Sequence, residues 1–277
     1  MHQGSLAVAL ASYLDARAAG GQWLVRIEDI DTPRTVALAD RVILKQLSDL
    51  GMHWDAEPWY QSKRIPAYEA AFNQLSALGR IYPCACTRRE IADSVLAAHG
   101  QFPDGERPYP GTCRQGITSG RSPKSWRFLT TSAPITFDDR WCGLQTQQVS
   151  EQVGDFVVRR ADGIWAYQLA VVVDDAAQNV SDIVRGQDLL SSTARQHQLA
   201  AALGVAVPSV MHVPLVVDER GLKLSKQNGA PAIDTSHPLD TLTSAWLHLG
   251  LGEVLATDLP SFWSNATTAW ARRFYPG

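Results

Sequence analysis

The 277-residue sequence has no apolar run long enough to span a bilayer and opens on no secretory signal pattern, so neither a membrane-spanning nor an exported protein is expected. Cysteine is scarce. The four, at positions 84, 86, 113 and 142, are too unevenly spaced for a disulfide framework, and a reducing, cytoplasmic setting is the expectation. There is no excess of basic charge. Lys and Arg number 25 against 28 Asp and Glu, a formal net charge of −3, which argues against a surface coated for non-specific nucleic-acid binding but leaves room for a local basic patch. Internal repeats and low-complexity tracts are absent too. What is there, 45% hydrophobic and 19% charged residues, is ordinary globular material with chain enough for one large domain or two small ones.

The chain alternates helical and strand-like stretches, an α/β pattern. Ser5 to Ala19 is an amphipathic helix, with Leu6, Leu10, Tyr13 and Leu14 apolar and Gly20-Gly21 as its stop. "QWLVRIEDID" is expected to be a short buried strand running into an acidic end. Pro33 is expected to start a second helix, ending at Gly51, and "IPAYEAAFNQLSALGR" is a third. From residue 81 to about 125 the chain turns rich in Gly, Pro and Arg and loses periodicity, as an inserted module would. "PITFDDRW" and "QVGDFVVRRADGIWAYQLAVVVDD" return to strand-like runs. "DIVRGQDLLSSTARQHQLAAALG" reads as strand, turn and capped helix, and "HVPLVVDERGLKLSKQNGA" as strand, turn and Lys/Ser loop.

Five features carry chemistry. His2 and Gly4 stand at the start of the first helix, where free backbone N–H groups and the helix dipole suit phosphate, although no strand precedes that helix to aim it. Glu28, at the carboxyl end of the "RIEDID" strand, is placed to hold an ammonium group. The alternative is an acidic cap on the Pro33 helix, which suits Asp31 and Thr32. Tyr167 and Arg185 flank apolar runs. Arg185, just before a Gly, could fork a substrate carboxylate, or could pair structurally with Asp174, Asp175 or Asp188; Tyr167 could equally be core. Lys223 and Lys226 in "KLSKQ" could meet the charge of a triphosphate as pyrophosphate leaves, or could be a solvated basic loop. Cys84, Cys86 and Cys113 lie within thirty residues of each other and suggest a structural zinc site. Spacing leaves the fourth ligand open between His99 and Tyr109, and Cys142 is expected in the core.

Together these pieces resemble a family. His2-x-Gly4 before a helix and "KLSKQ" two hundred residues later are similar to the HIGH and KMSKS signatures of class I aminoacyl-tRNA synthetases. "RIEDIDTPR", "VVVDDAAQNVSDIVRGQDLLSSTARQHQL" and the Cys-x-Cys…Tyr-x-x-x-Cys cluster resemble the glutamyl branch, and within it the enzymes that pass glutamate to queuosine in tRNA(Asp). The likeness runs from residue 1 to about 235. Only about 50 residues follow the Lys loop, too few for the helical anticodon-binding region of ordinary glutamyl-tRNA synthetases. Gln227 stands where the signature often ends in Ser, at little expected cost.

The resemblance implies a Rossmann-type α/β catalytic domain over 1–80 and 160–235, a zinc-containing acceptor-binding-type insertion over 81–159 and a helical C-terminal extension over 236–277. It implies activation of glutamate by ATP with Mg2+ and transfer to queuosine in tRNA(Asp), by a cytoplasmic protein expected to be a monomer. Rival expectations are a truncated synthetase charging tRNA(Glu) and a non-catalytic paralogue. The resemblance further implies that Glu28, Tyr167 and Arg185 bind glutamate, that His2, Gly4, Lys223 and Lys226 act on ATP, and that Cys84, Cys86, Tyr109 and Cys113 hold one zinc. The family carries a strand and a turn resembling R-F-A-P-S-P-T-G directly before the histidine. The sequence holds no such stretch, and low stability and weak activity are expected of the chain as written, because an apolar gap and unpaired strand edges are costly.

Overall fold

In the computed structural model, described for residues 1–33, 35–99, 108–217, 224 and 231–276, the first helix is the pivot of the larger core. Helix α1 (Gln3–Ala18) buries Leu6, Leu10 and Leu14 on one stripe, and Ala7 and Ala11 between them let neighbouring elements approach closely. It stops in a Schellman turn. Gly20 takes φ +64°, its N–H donates to Arg17 O at 3.1 Å, and Gly21 N–H donates to Ala16 O at 2.8 Å. Against α1 pack helices α8 (Pro238–His248) and α9 (Leu259–Phe274), bringing Trp246, Phe262 and Trp270 into one cluster with Met211 and Val213.

The largest sheet has strand order β6-β5-β9-β8, with β5 (Ile135–Asp139), β6 (Gly143–Gln147), β8 (Asp182–Gly186) and β9 (Ser209–Val213). β8 and β9 run parallel and are joined through a 3-10 turn (Gln187–Ser192) and helix α7 (Thr193–Leu203), a βαβ unit. β5 pairs parallel with β9 and antiparallel with β6, so the 135–147 hairpin extends this sheet. A second sheet, β3 (Ile81–Cys84), β4 (Ser125–Phe128) and β7 (Val157–Arg159), is antiparallel, in the order β3-β4-β7. It shares a core with helices α3 (Ile65–Ala77) and α7 through Phe72, Leu75, Phe128, Trp165 and Leu199. Helix α4 (Arg88–His99) supplies helical order inside the segment that lacks periodicity in sequence.

Three local expectations differ from what forms. "QWLVRIEDID" is extended and bonded, with Asp55 N–H donating to Trp23 O and Trp59 N–H to Val25 O. Only Arg26–Ile27 (β1) makes a ladder, parallel to Trp59–Tyr60 (β2). The second helix, α2, begins at Ala39 rather than Pro33. Asp31 is drawn into an ion pair with Arg160 at 3.1 Å instead of capping, and Leu38 before the helix takes φ +63°. "YQLAVVVDD" is not a strand but the helix α6 (Tyr167–Ala177). It is buried on several sides, and a short continuous apolar run does not distinguish the two by period.

Candidate active site

The sequence-read residues fall into three groups. At the start of α1, His2 is the helix N-cap, with φ −107° and ψ 168°, and its Nδ1 accepts the Ser5 N–H at 3.3 Å. A Cβ on Gly4 would lie 3.2 Å from that ring nitrogen, so glycine here gives the ring room to fold back over the first turn. The chain after β9 passes this point and returns to it. Val216 lies beside Gly4, Ile233 N–H donates to Met1 O at 3.0 Å, and Ala232 bridges His2. Lys223 and Lys226 lie outside the described residues. Leu224, between them in sequence, donates its N–H to Val216 O at 2.8 Å and packs on the α1 core.

The second group surrounds two clefts. One, of about 650 Å³, lies between the Trp23–Glu28 stretch and the Ser181–Val184 edge of β8, with Ser12 and Asp15 of α1 on its wall. The other, of about 700 Å³, is lined by Glu28, Asp31, Arg160, Trp165 and Tyr167. Glu28 borders both. The low-dielectric walls push its carboxyl up; Arg26 at 3.5 Å opposes this, and Asp175 and Asp174 reinforce it. Burial likewise raises the Tyr167 hydroxyl. Arg26 is otherwise committed, to Asp175 at 2.7 Å and Gln178 at 3.0 Å.

Arg185 reaches this group through Tyr167, donating from Nη1 to its hydroxyl at 3.4 Å. The structural pairing with Asp174, Asp175 or Asp188 does not form. Asp174 is taken by Arg64, Tyr68 and Gln61, and Arg185 has neutral partners, His212 and Thr193 at 2.8 Å each. No carboxylate among the described residues hydrogen-bonds this buried guanidinium, although Asp175 lies near enough to feel its charge. A carboxylate on Arg185 and an ammonium on Glu28 would suit an amino acid.

The third group is the thiol cluster. The sulfurs of Cys84, Cys86 and Cys113 all lie within 4.8 Å of one another. The Tyr109 hydroxyl stands 3.4 Å from Cys84 Sγ and 3.6 Å from Cys86 Sγ, and accepts the Cys113 N–H at 2.9 Å. The side chain of His99 lies outside the described residues. Arg127, which the sequence did not single out, donates from Nε to Cys84 Sγ at 3.3 Å and lies 3.8 Å over the Tyr109 ring. Burial pushes the Cys84 thiol up, but hydrogen bonding with Tyr109 and Arg127 more than offsets it and leaves the group at about 7. Three converging thiols and a phenolic oxygen are a donor set that fits zinc. Cys142, expected in the core, sits instead in the β5–β6 turn, where its thiol donates to His212 O at 3.4 Å.

The family described as "tRNA synthetases class I (E and Q), catalytic domain" matches residues 1–245. The chain belongs to this class I tRNA synthetase family. Within it, the chain is similar to proteins named Glutamyl-Q tRNA(Asp) synthetase. It is 58% identical to that of Bordetella bronchiseptica over 99% of this chain and 86% of the relative, and 54% identical to that of Ralstonia nicotianae over 99% and 88%. Among solved structures, the glutamate-tRNA synthetase of Elizabethkingia anophelis superposes with a TM-score of 0.69 at 26% identity. It is covered over 50% of its length by 83% of this chain.

Proposed function

We propose that this protein activates glutamate with ATP and passes the glutamyl group to queuosine in the anticodon of tRNA(Asp). The observation that carries the reading is Arg185, a buried cation among neutral partners, joined through Tyr167 to the cleft that Glu28 borders. It is supported by more than 50% identity, over nearly the whole chain, to proteins named for that activity.

In the first step a glutamate carboxylate oxygen attacks the α-phosphorus of ATP and pyrophosphate leaves, giving glutamyl-adenylate. In the second a queuosine hydroxyl attacks the acyl carbon and AMP leaves. Glu28 pairs the substrate ammonium, and Arg185 with Tyr167 orients a carboxylate. His2 and Gly4 at the start of α1 face phosphate oxygens, and Lys223 and Lys226 meet the charge that develops on the leaving group. Mg2+ accompanies the triphosphate. One structural zinc on Cys84, Cys86, Tyr109 and Cys113 would add folding energy to residues 81–159, which we read as the acceptor-binding-type insertion, its 135–147 hairpin joining the β8–β9 sheet, with 1–80 and 160–235 catalytic and 236–277 a helical extension. The protein is read as a cytoplasmic monomer; no described helix is long and apolar enough to cross a membrane, and none of its four cysteines is in a disulfide.

The test is glutamate-dependent ATP–pyrophosphate exchange, followed by transfer of labelled glutamate to tRNA(Asp) with and without queuosine and to tRNA(Glu). Exchange with glutamate and labelling of queuosine-containing tRNA(Asp) alone are expected. Arg185→Ala should raise the glutamate KM by a factor corresponding to roughly 2–5 kcal/mol, with the ATP KM little changed. Labelling of tRNA(Glu), or no exchange with any amino acid, overturns the reading.

A further inference from the structure

Arg185 and His212 stand directly opposite each other in the parallel β8–β9 ladder, which puts both side chains on one face of the sheet. Arg185 Nε donates to His212 Nε2 at 2.8 Å. A guanidinium has only donors, so His212 Nε2 must be bare and its proton must sit on Nδ1. Nδ1 faces Asp139 Oδ2 at 2.5 Å. Asp139 is itself immobilised, because its Oδ1 accepts backbone N–H groups from Trp141 at 3.0 Å, Cys142 at 2.8 Å and His212 at 3.2 Å. Asp139 is 1% exposed and His212 not at all, so no water competes for these bonds.

The guanidinium carries five N–H groups in a rigid fork. His212 takes the Nε–H, Thr193 Oγ1 takes one from Nη2 at 2.8 Å, and Tyr167 takes one from Nη1 at a long 3.4 Å. Among the described residues that leaves two N–H groups, one on each terminal nitrogen, to offer a carboxylate. A carboxylate in the place of His212 would also have fixed the fork, but it would have neutralised the cation that has to attract the substrate. A neutral imidazole fixes direction without adding a second carboxylate to the field of Asp175, which already feels this cation.

We propose that His212, held by Asp139 with its proton on Nδ1, is a positioning residue that turns the terminal edge of Arg185 toward the substrate carboxylate. This rests on the reading of Arg185 as a glutamate-binding residue, and one arm of the test is independent of that reading. In the first arm, nitrogen-15 spectra of the full chain report the His212 tautomer and the exchange protection of the Arg185 Nε–H. A bare Nε2 and a protected Nε–H are expected in the wild type, with protection kept in His212→Gln, whose amide oxygen can replace Nε2, and lost in His212→Leu. In the second arm, pyrophosphate exchange in His212→Leu should show a glutamate KM raised roughly 10- to 100-fold, with the ATP KM unchanged. His212→Gln should return the glutamate KM to within about threefold of wild type. A proton on Nε2 in the wild type overturns the proposal even if H212L does not fold. So does an equal rise of glutamate KM in both variants, or a fall in kcat with KM unmoved. A wild type that activates no glutamate would instead sink the proposed function, while the spectra still decide whether His212 holds Arg185.

Discussion

Asp139 is the residue on which a buried polar network turns. Burial raises its carboxyl, but the bonds from His212 and from the N–H groups of Cys142, His212 and Trp141 outweigh that and hold it at about 2, against an ordinary value near 3.8. A carboxyl depressed on folding contributes stability that is complete above its unfolded value and is lost as pH falls through the folded one. The window here runs from about pH 4 down to about pH 2, and the contribution above it is about 2 kcal/mol. Denaturant melts of wild type and Asp139→Asn between pH 2 and 6 should therefore differ above pH 4 and converge toward pH 2; parallel curves would disprove the assignment. Arg185 drew notice in sequence because an arginine before a glycine at a strand end is a local pattern. His212 was not. It lies 27 positions away, and only the β8–β9 register sets it opposite.

At the scale of elements, the thiol cluster depends on a crossing that contains no cysteine. Tyr109 N–H donates to Val153 O at 2.9 Å, and the next residue, Gly154, bridges Tyr109 with φ +70°. A Cβ there would fall 2.2 Å from Tyr109 O, where no atom fits. Gly154→Ala should cost more than about 3 kcal/mol and loosen zinc in a chelator competition. Gly163 makes the control. It has φ +82° but nothing within 4 Å of an added Cβ, so Gly163→Ala should cost only about 1 kcal/mol and leave metal affinity intact. Equal effects from the two would place the cost in backbone conformation alone. The cluster's three cysteines were visible as spacing, and α1 and α3 as periodicity with stops. Helix α6 was hidden because its apolar run is buried on several sides, and the late start of α2 because Asp31 answers to Arg160 rather than to its own helix.

Across the whole molecule, Asp15 ties distant parts of the chain together. It is 2% exposed and accepts from Arg140 at 2.6 Å, Trp270 at 3.0 Å and Tyr275 at 3.1 Å, joining α1 to the β5–β6 turn and to α9. Beside that hub the large sheet ends. Among the described residues β8 is the edge strand on this side, and the cleft of about 650 Å³ separates that edge from the Trp23–Glu28 stretch. A strand bonded on one side only turns every second amide toward solvent. The isotope-exchange record of the sheet should therefore be two-toned. Alternate amides between Asp182 and Gly186 should trade hydrogen for deuterium on the timescale of local opening, while those of Met211 and Val213 wait for global unfolding. Uniform protection across both strands would mean that the cleft is closed in solution. An edge that breathes while its neighbour does not would make β8, which carries Arg185, the place where the large sheet first yields to heat or denaturant.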